Sequence, residues 1–293
     1  MNREQANRTI LLRLSAFLQG SARLDGEDIE MLIREFGLSL ETAARTMLSA
    51  MIGLDTDLPD DRMMEEQYLV PGFHVLSPEP YLRDPYRETI CFPERQMGNW
   101  SFAMQFFEPY EVFVRDDLLV TTDGREIPRI GAFSERFFYP AVREADREWM
   151  TLAPVEIETM RGPIQVAHGD VLTLGLGLGY YAFHVSMKTD VRSLTVVERD
   201  PALIELFSRT LLPQFPGRDK IRIIEMDAYD YLGHRFPEQR FDTVFCDLWH
   251  DAGDGAAHYL KLKTYEKRYG TLFQYWIEGL LRQAVQYHDL SQR

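Results

Sequence analysis

Three glycines at alternate positions, Gly175, Gly177 and Gly179, are followed by acids at Glu198, Asp227 and Asp247, each at the end of an apolar run. Glycines let a backbone approach a ligand closely, and a carboxylate at a strand end can accept hydrogen bonds from a ribose diol. The order of these residues supports that chemistry. Residues 171–174 form an apolar run that breaks into the glycine turn, and residues 180–187 are compatible with a helix. A second apolar run, 193–197, then ends in Glu198. Roughly twenty residues from glycine turn to strand-end acid is the spacing of a nucleotide-binding βαβ unit.

A dinucleotide fingerprint places its third glycine one residue later, where this chain has Tyr180. Two further strands are predicted, 220–226 ending at Asp227-Ala228 and 240–246 ending at Asp247. On the motifs at 174–179, Val197-Glu198, Asp227-Ala228 and 241–247, residues 150–285 or so resemble the class I S-adenosylmethionine-dependent methyltransferases. The resemblance implies an α/β, Rossmann-like three-layer sandwich with a mostly parallel sheet, and S-adenosyl-L-methionine as cofactor. It implies that Gly175, Gly177 and Gly179 border the methionine part of that cofactor and that Glu198 holds the ribose hydroxyls. Asp227 would accept from the adenine amine, with the Ala228 backbone nearby, and Asp247 would lie beside the transferred group. Such a placement agrees with the rule that ligands of open α/β sheets bind outside the carboxyl ends of the strands.

The segment 247–254 follows directly and supplies candidates for catalysis. The imidazole of His250 could take a proton from a nucleophile. Asp247 or Asp251 could orient it or bind a substrate amine, and Trp249 could stack on a ring or cover the cofactor. Blander roles exist for the same residues: Asp254 as a helix cap, His250 as a partner of the backbone. Methyl transfer from a sulfonium is downhill, so the protein mainly positions the nucleophile and excludes water. The acceptor is expected between this segment and residues 65–140, which are rich in aromatics. Glu198, facing a cleft, is expected to contribute little to folding.

Two alternatives remain. The chain also resembles the spermidine synthases, aminopropyltransferases with a β-rich N-terminal region, but their glycine loop reads Gly-Gly-Gly-Asp-Gly-Gly and Leu178 stands at the aspartate here. Their acidic pair is only loosely echoed by Asp247 and Asp251. A non-catalytic S-adenosylmethionine-binding protein is the other alternative, because few residues follow Asp247 and the sheet is expected to end early. No metal site is expected: the histidines 168, 184, 234, 250 and 258 lack HExxH or CxxC company. Neither a GxSxG elbow nor a Walker loop occurs.

The elements that must hold these residues fall into three expected segments: helical 1–54, mixed and β-containing 55–149, and the cofactor domain 150–293. The chain has 293 residues and a formal net charge of −14, which argues against non-specific nucleic-acid binding and favours a small-molecule acceptor. Its two cysteines, Cys91 and Cys246, make no disulfide framework, and no apolar run approaches a membrane span. With a polar start at Met1, a cytoplasmic protein is expected; self-association into a homo-oligomer is left open. Ile10, Leu14 and Phe17, and then Ile29, Leu32 and Phe36, recur at helical spacing, with Gly37 as C-cap and Ser39 as the N-cap of a helix to Met51. Residues 28–51 could form a helix-turn-helix, but the second helix carries only Arg45 as a cation, and simple packing of two helices explains the pattern. A charged link at 55–62 follows, then strands at 110–115, 118–122 and 125–130 with a hairpin turn at Asp123-Gly124. A helix at 155–160 leads into the sheet, and a helix at 255–268, a fifth strand at 271–276 and a helix at 277–287 complete it.

Overall fold

The computed structural model describes residues 1–20, 22–93, 96–145 and 147–291. They divide into two compact units, Met1–Pro80 with Phe106–Phe138, and Tyr81–Gln105 with Tyr139–Arg293. Residues 55–149 are shared between both units, with residues 139–149 falling in the second.

The first unit opens with helices Arg3–Gln19, Gly26–Phe36 and Leu40–Met51. Asn2 and Gln5 form a capping box, Gly37 ends the second helix at φ 65°, and the Ser39 side chain accepts from the Thr42 N–H. Ile10, Leu14, Ile29 and Leu48 meet Leu69, Phe73 and Ile130 in one apolar core. Arg45 lies 3.9 Å from Glu65 and is mostly buried, so the helix pair offers no free cation from that position to a phosphate. The expected link holds a helix, Pro59–Met64, started by Pro59 at its first position. The strands expected at 110–130 shrink to Phe113–Val114, Leu119–Val120 and Glu126–Ile127, the last two paired around Gly124 at φ 81°. Strand Ile130–Phe133 pairs with Phe73–Leu76 and Phe113–Val114.

The second unit carries the parallel sheet. Its strands are β1 (Gly169–Leu174), β2 (Val191–Glu198), β3 (Ile221–Glu225), β4 (Thr243–Cys246) and β5 (Leu272–Tyr275). They lie in the order β3-β2-β1-β4-β5, all parallel. The helices are α1 (Pro154–Val166), α2 (Tyr180–Met187), α3 (Pro201–Thr210), α4 (Ala252–Tyr269) and α5 (Glu278–Ser291). Parallel strands need right-handed crossovers, so reversing direction after β3 sends α4 to the face opposite α2 and α3. The result is the three-layer, Rossmann-like sandwich, with the switch point between β1 and β4. The sheet ends at β5.

Helices α1 and α4 depart from expectation for local reasons, whereas α2 begins where it was expected. Helix α1 runs past residue 160 and through Pro163, because the Lys188 ammonium bonds the carbonyl oxygens of Ile164, Gln165 and Ala167 at its end. Helix α4 starts at Ala252, capped by Asp251, whose carboxylate accepts from the N–H groups of Gly253 and Asp254. Helix α2 begins at Tyr180, which stands where a dinucleotide fingerprint has glycine; its hydroxyl bonds Asp84 at 2.8 Å. Buried Tyr86 packs edge-on to Phe183 and Phe215, fixing residues 81–105 to the same helix.

An antiparallel sheet, ordered Gln96–Met97, Trp100–Phe107, Phe137–Glu144 and Arg147–Thr151, completes the region before α1. Its last strand runs almost directly into α1. Among the described residues no helix is long and apolar enough to cross a membrane.

Candidate functional site

A cleft opens at the carboxyl ends of β1, β2 and β4, enclosing about 960 Å³ with its open mouth included. The register brings the strand ends level: Leu174 pairs with Val197 on one side and Cys246 on the other, so Glu198 and Asp247 flank the glycine turn.

The turn itself needs glycine. Gly175, Gly177 and Gly179 have φ of 102°, 50° and 74°, where a Cβ is strained. Each is also closely packed: a Cβ would stand 2.0 Å from the Asp247 carbonyl oxygen at Gly175, 2.1 Å from the Met150 Sδ at Gly177 and 2.4 Å from the Phe207 ring at Gly179. Gly175 and Gly177 line the cleft, whereas Gly179 is set at its root and starts α2. Met150 covers the turn, with its Sδ 3.2 Å from the Leu178 N–H.

Glu198 locks β2 to that turn. Its carboxylate accepts from the N–H groups of Arg199 at 2.8 Å, Asp200 at 2.9 Å and Leu176 at 3.3 Å. Burial raises its pKa, against the opposing effect of those backbone bonds. Asp227 uses one oxygen, Oδ1, to cap the short helix Ala228–Asp230, accepting from Tyr229 at 2.8 Å and Asp230 at 3.2 Å. Asp227 and Ala228 both line the cleft.

Asp247 is held by its backbone N–H, which donates to Leu174 at 2.9 Å. Burial, with the charge of Glu198 adding to it, pushes its carboxyl up to about 7. Glu156, on α1, also lines the cleft although it was not among the sequence candidates. Its carboxyl is raised well above the usual range by burial, then by the charges of Asp247 and Glu148. All four tryptophans of the chain, Trp100, Trp149, Trp249 and Trp276, line the same cleft. Their wide separation in sequence hid this grouping. Residues 144–150 contribute a larger part of the wall than residues 65–140, among whose described members Trp100 alone takes part. His258, on α4, is a further lining residue and bonds Tyr229 Oη through Nδ1 at 2.6 Å.

His250 does not line the cleft. Its ring lies against Trp149 with centroids 6.3 Å apart, and its Nδ1 is 3.4 Å from the Trp149 carbonyl oxygen. Asp251 is occupied as the cap of α4 and does not hydrogen-bond the imidazole, contrary to its expected orienting role; Asp254 instead accepts from the His250 and Asp251 N–H groups. Among the described residues no group of three or more metal-ligating side chains could hold an ion.

No protein-family model matches the chain, and no curated protein matches it significantly. Solved structures do. One is a Klebsiella pneumoniae protein assigned as an O-methyltransferase, at 20% identity over 43% of this chain and 62% of that one, with a TM-score of 0.31. Another is spermidine synthase from Thermotoga maritima, at 18% identity over 52% and 60% of the two chains and a TM-score of 0.36. A third is the Trypanosoma brucei PRMT1 enzyme–prozyme complex with AdoHcy, at 16% identity over 37% and 34% and a TM-score of 0.28. The chain spans less than two thirds of each of these structures. Methyltransferases and spermidine synthases are the two groups that its motifs resemble.

Proposed function

We propose that the protein is an S-adenosylmethionine-dependent methyltransferase acting on a small molecule in the cytoplasm. One observation carries the reading: the glycine turn, Glu198, Asp227 and Asp247 converge on a single cleft at the switch point of a parallel sheet. The cofactor supplies a methyl group made electrophilic by its sulfonium. The side chains fit it. Glu198 is already oriented by three backbone N–H groups and keeps one lone-pair site, on Oε2, for a ribose hydroxyl. Asp227 has an oxygen, Oδ2, with no partner among the described residues, suited to an adenine amine. Asp247 is left to face the transferred group.

The aminopropyl alternative is weaker because Leu178 is fully buried and puts no charge at the turn where that family has an aspartate. Calorimetric titration with S-adenosylmethionine, S-adenosylhomocysteine, decarboxylated S-adenosylmethionine and NAD tests the reading. The first two should bind most tightly. Tighter binding of NAD would overturn the cofactor assignment, and tighter binding of the decarboxylated form would favour aminopropyl transfer. Cofactor binding without turnover of any acceptor would leave a non-catalytic binding protein.

A further inference from the structure

Two carboxyl groups in the cleft lack a protein partner. Glu156 is 7% exposed, and no described residue hydrogen-bonds its carboxyl. The Asp247 carboxyl is likewise without a donor among the described residues, although its backbone N–H is bonded. The charges that act on them are also unfavourable. Asp247 and Glu148 act on Glu156, and Glu198 acts on Asp247, all of them acids. Glu156 is the buried one of the two and Asp247 is half-buried; a buried carboxyl with neither donor nor counter-ion is costly unless a proton, water or ligand completes it.

The walls around this pair are indoles. Trp276 donates from Nε1 to Thr159 Oγ1 at 3.0 Å, and its backbone N–H bonds the Cys246 carbonyl oxygen at 3.0 Å. It therefore ties the helix that carries Glu156 to the strand that ends at Asp247. Trp249 follows Asp247 by two residues and is buried; its indole N–H has no partner among the described residues. Trp100 and Trp149 meet edge to face, 6.1 Å between centroids. Indole faces attract cations, and more strongly where water is excluded. The cleft thus offers negative charge at its floor and π faces at its sides; among the described residues its lining holds no lysine and one arginine, Arg199, next to Glu198 on the β2 side.

We propose that the acceptor is an amine, which enters as its ammonium with N–H groups on Glu156 and Asp247 and its carbon frame between the tryptophans. The word acceptor rests on the methyltransferase reading; the binding does not. In the transfer, one carboxylate takes a proton from the ammonium and so frees the nitrogen lone pair. A nitrogen–carbon bond then forms to the methyl of the sulfonium donor as the carbon–sulfur bond breaks. That electron pair stays on sulfur, and the positive charge passes to the methylated nitrogen.

The test uses the full chain, alone and saturated with S-adenosylhomocysteine, followed by calorimetry and tryptophan fluorescence. Butylamine, 1,4-diaminobutane and phenethylamine are compared with 1-butanol, 1,4-butanediol and phenethyl alcohol. At least one amine should bind about tenfold more tightly than its alcohol and change the indole emission. Glu156→Gln should remove most of that preference while leaving S-adenosylhomocysteine affinity unchanged. Should Glu156→Gln fold poorly, Asp247→Asn serves as the second variant for the same amine preference. Equal binding of amines and alcohols, no binding by any amine, or a preference that survives the substitution would overturn the proposal. Amine preference without S-adenosylmethionine binding would keep the ammonium site and remove the methyltransferase reading. Cofactor binding without amine preference would do the reverse.

Discussion

A Cβ on residue 175 would stand 2.0 Å from the backbone oxygen of Asp247, so the glycine turn and the end of β4 share one space that only glycine leaves open. The obstacle is backbone and cannot swing aside, and the φ of 102° is itself unfavourable for alanine. Gly175→Ala should therefore destabilise the chain by about 2–5 kcal/mol in denaturant unfolding. Gly233→Ala is the control: it lies in the helical segment Tyr231–Arg235 with open space around it and should gain about 0.5–1 kcal/mol. Equal stability of the two variants would mean that the turn adjusts freely.

Glu198 was expected to matter for cofactor and little for folding; its three backbone partners alter that expectation. Glu198→Ala should weaken S-adenosylmethionine binding by about 1.5–3 kcal/mol, the range for a hydrogen bond to a charged group. It should also lower stability by about 1–3 kcal/mol, because donors in the turn and before α3 lose their acceptor. Calorimetry and unfolding on the same sample separate the effects. Unchanged cofactor affinity in a destabilised variant would make Glu198 purely structural.

Stability should fall as pH rises through the range set by Asp247. Its carboxyl is pushed from an ordinary 3.8 up to about 7, so between those values the folded chain keeps a proton that the unfolded chain has released. Stability from this group is complete below the lower value and is lost by the time pH passes the upper one. Melting curves of the ligand-free protein from about pH 5 to about pH 8 should show a declining midpoint that levels off. Asp247→Asn should flatten the slope without abolishing it, because burial shifts Glu156 in the same direction. An identical slope in the variant would mean that Asp247 is ionised when folded.

His250→Ala should act through Trp149, because the imidazole lies against that indole and outside the cleft. With a working acceptor, the variant should raise KM more than it lowers kcat, whereas Asp247→Asn should lower kcat. A tenfold or greater loss in kcat alone for His250→Ala would restore the imidazole as general base.

The centre of the parallel sheet, β1, β2 and β4, was legible because strands buried on both faces read as continuous apolar runs. All five lie within a few residues of their expected positions, and α2 spans Tyr180–Met187 as predicted. The hairpin formed by Phe137–Glu144 and Arg147–Thr151 was not: exposed Phe138 blurs its alternation, and its turn uses Ala145 at φ 53° in place of Asn-Gly. Glu156 was hidden for another reason. An acid in the first turn of a helix is ordinary because it complements the helix dipole, so nothing local marks it as a neighbour of Asp247. His250 gained undue weight from its proximity to Asp247 in sequence, because the chain turns its ring towards Trp149 before α4 begins.

The pairing of Leu174 with Cys246 joins positions 72 residues apart, across the two strands that bound the cleft. Contacts this remote in sequence close late, since the loop between them must be ordered first. A chain emerging from the ribosome therefore has its glycine turn and Glu198 well before Asp247 arrives, and β1 presents one unpaired apolar edge in the interval. Ligand cannot shield that edge early, because its pocket depends on the strand still missing. Synthesis and refolding of this protein should be most vulnerable to aggregation in that window, between completion of β3 and docking of β4.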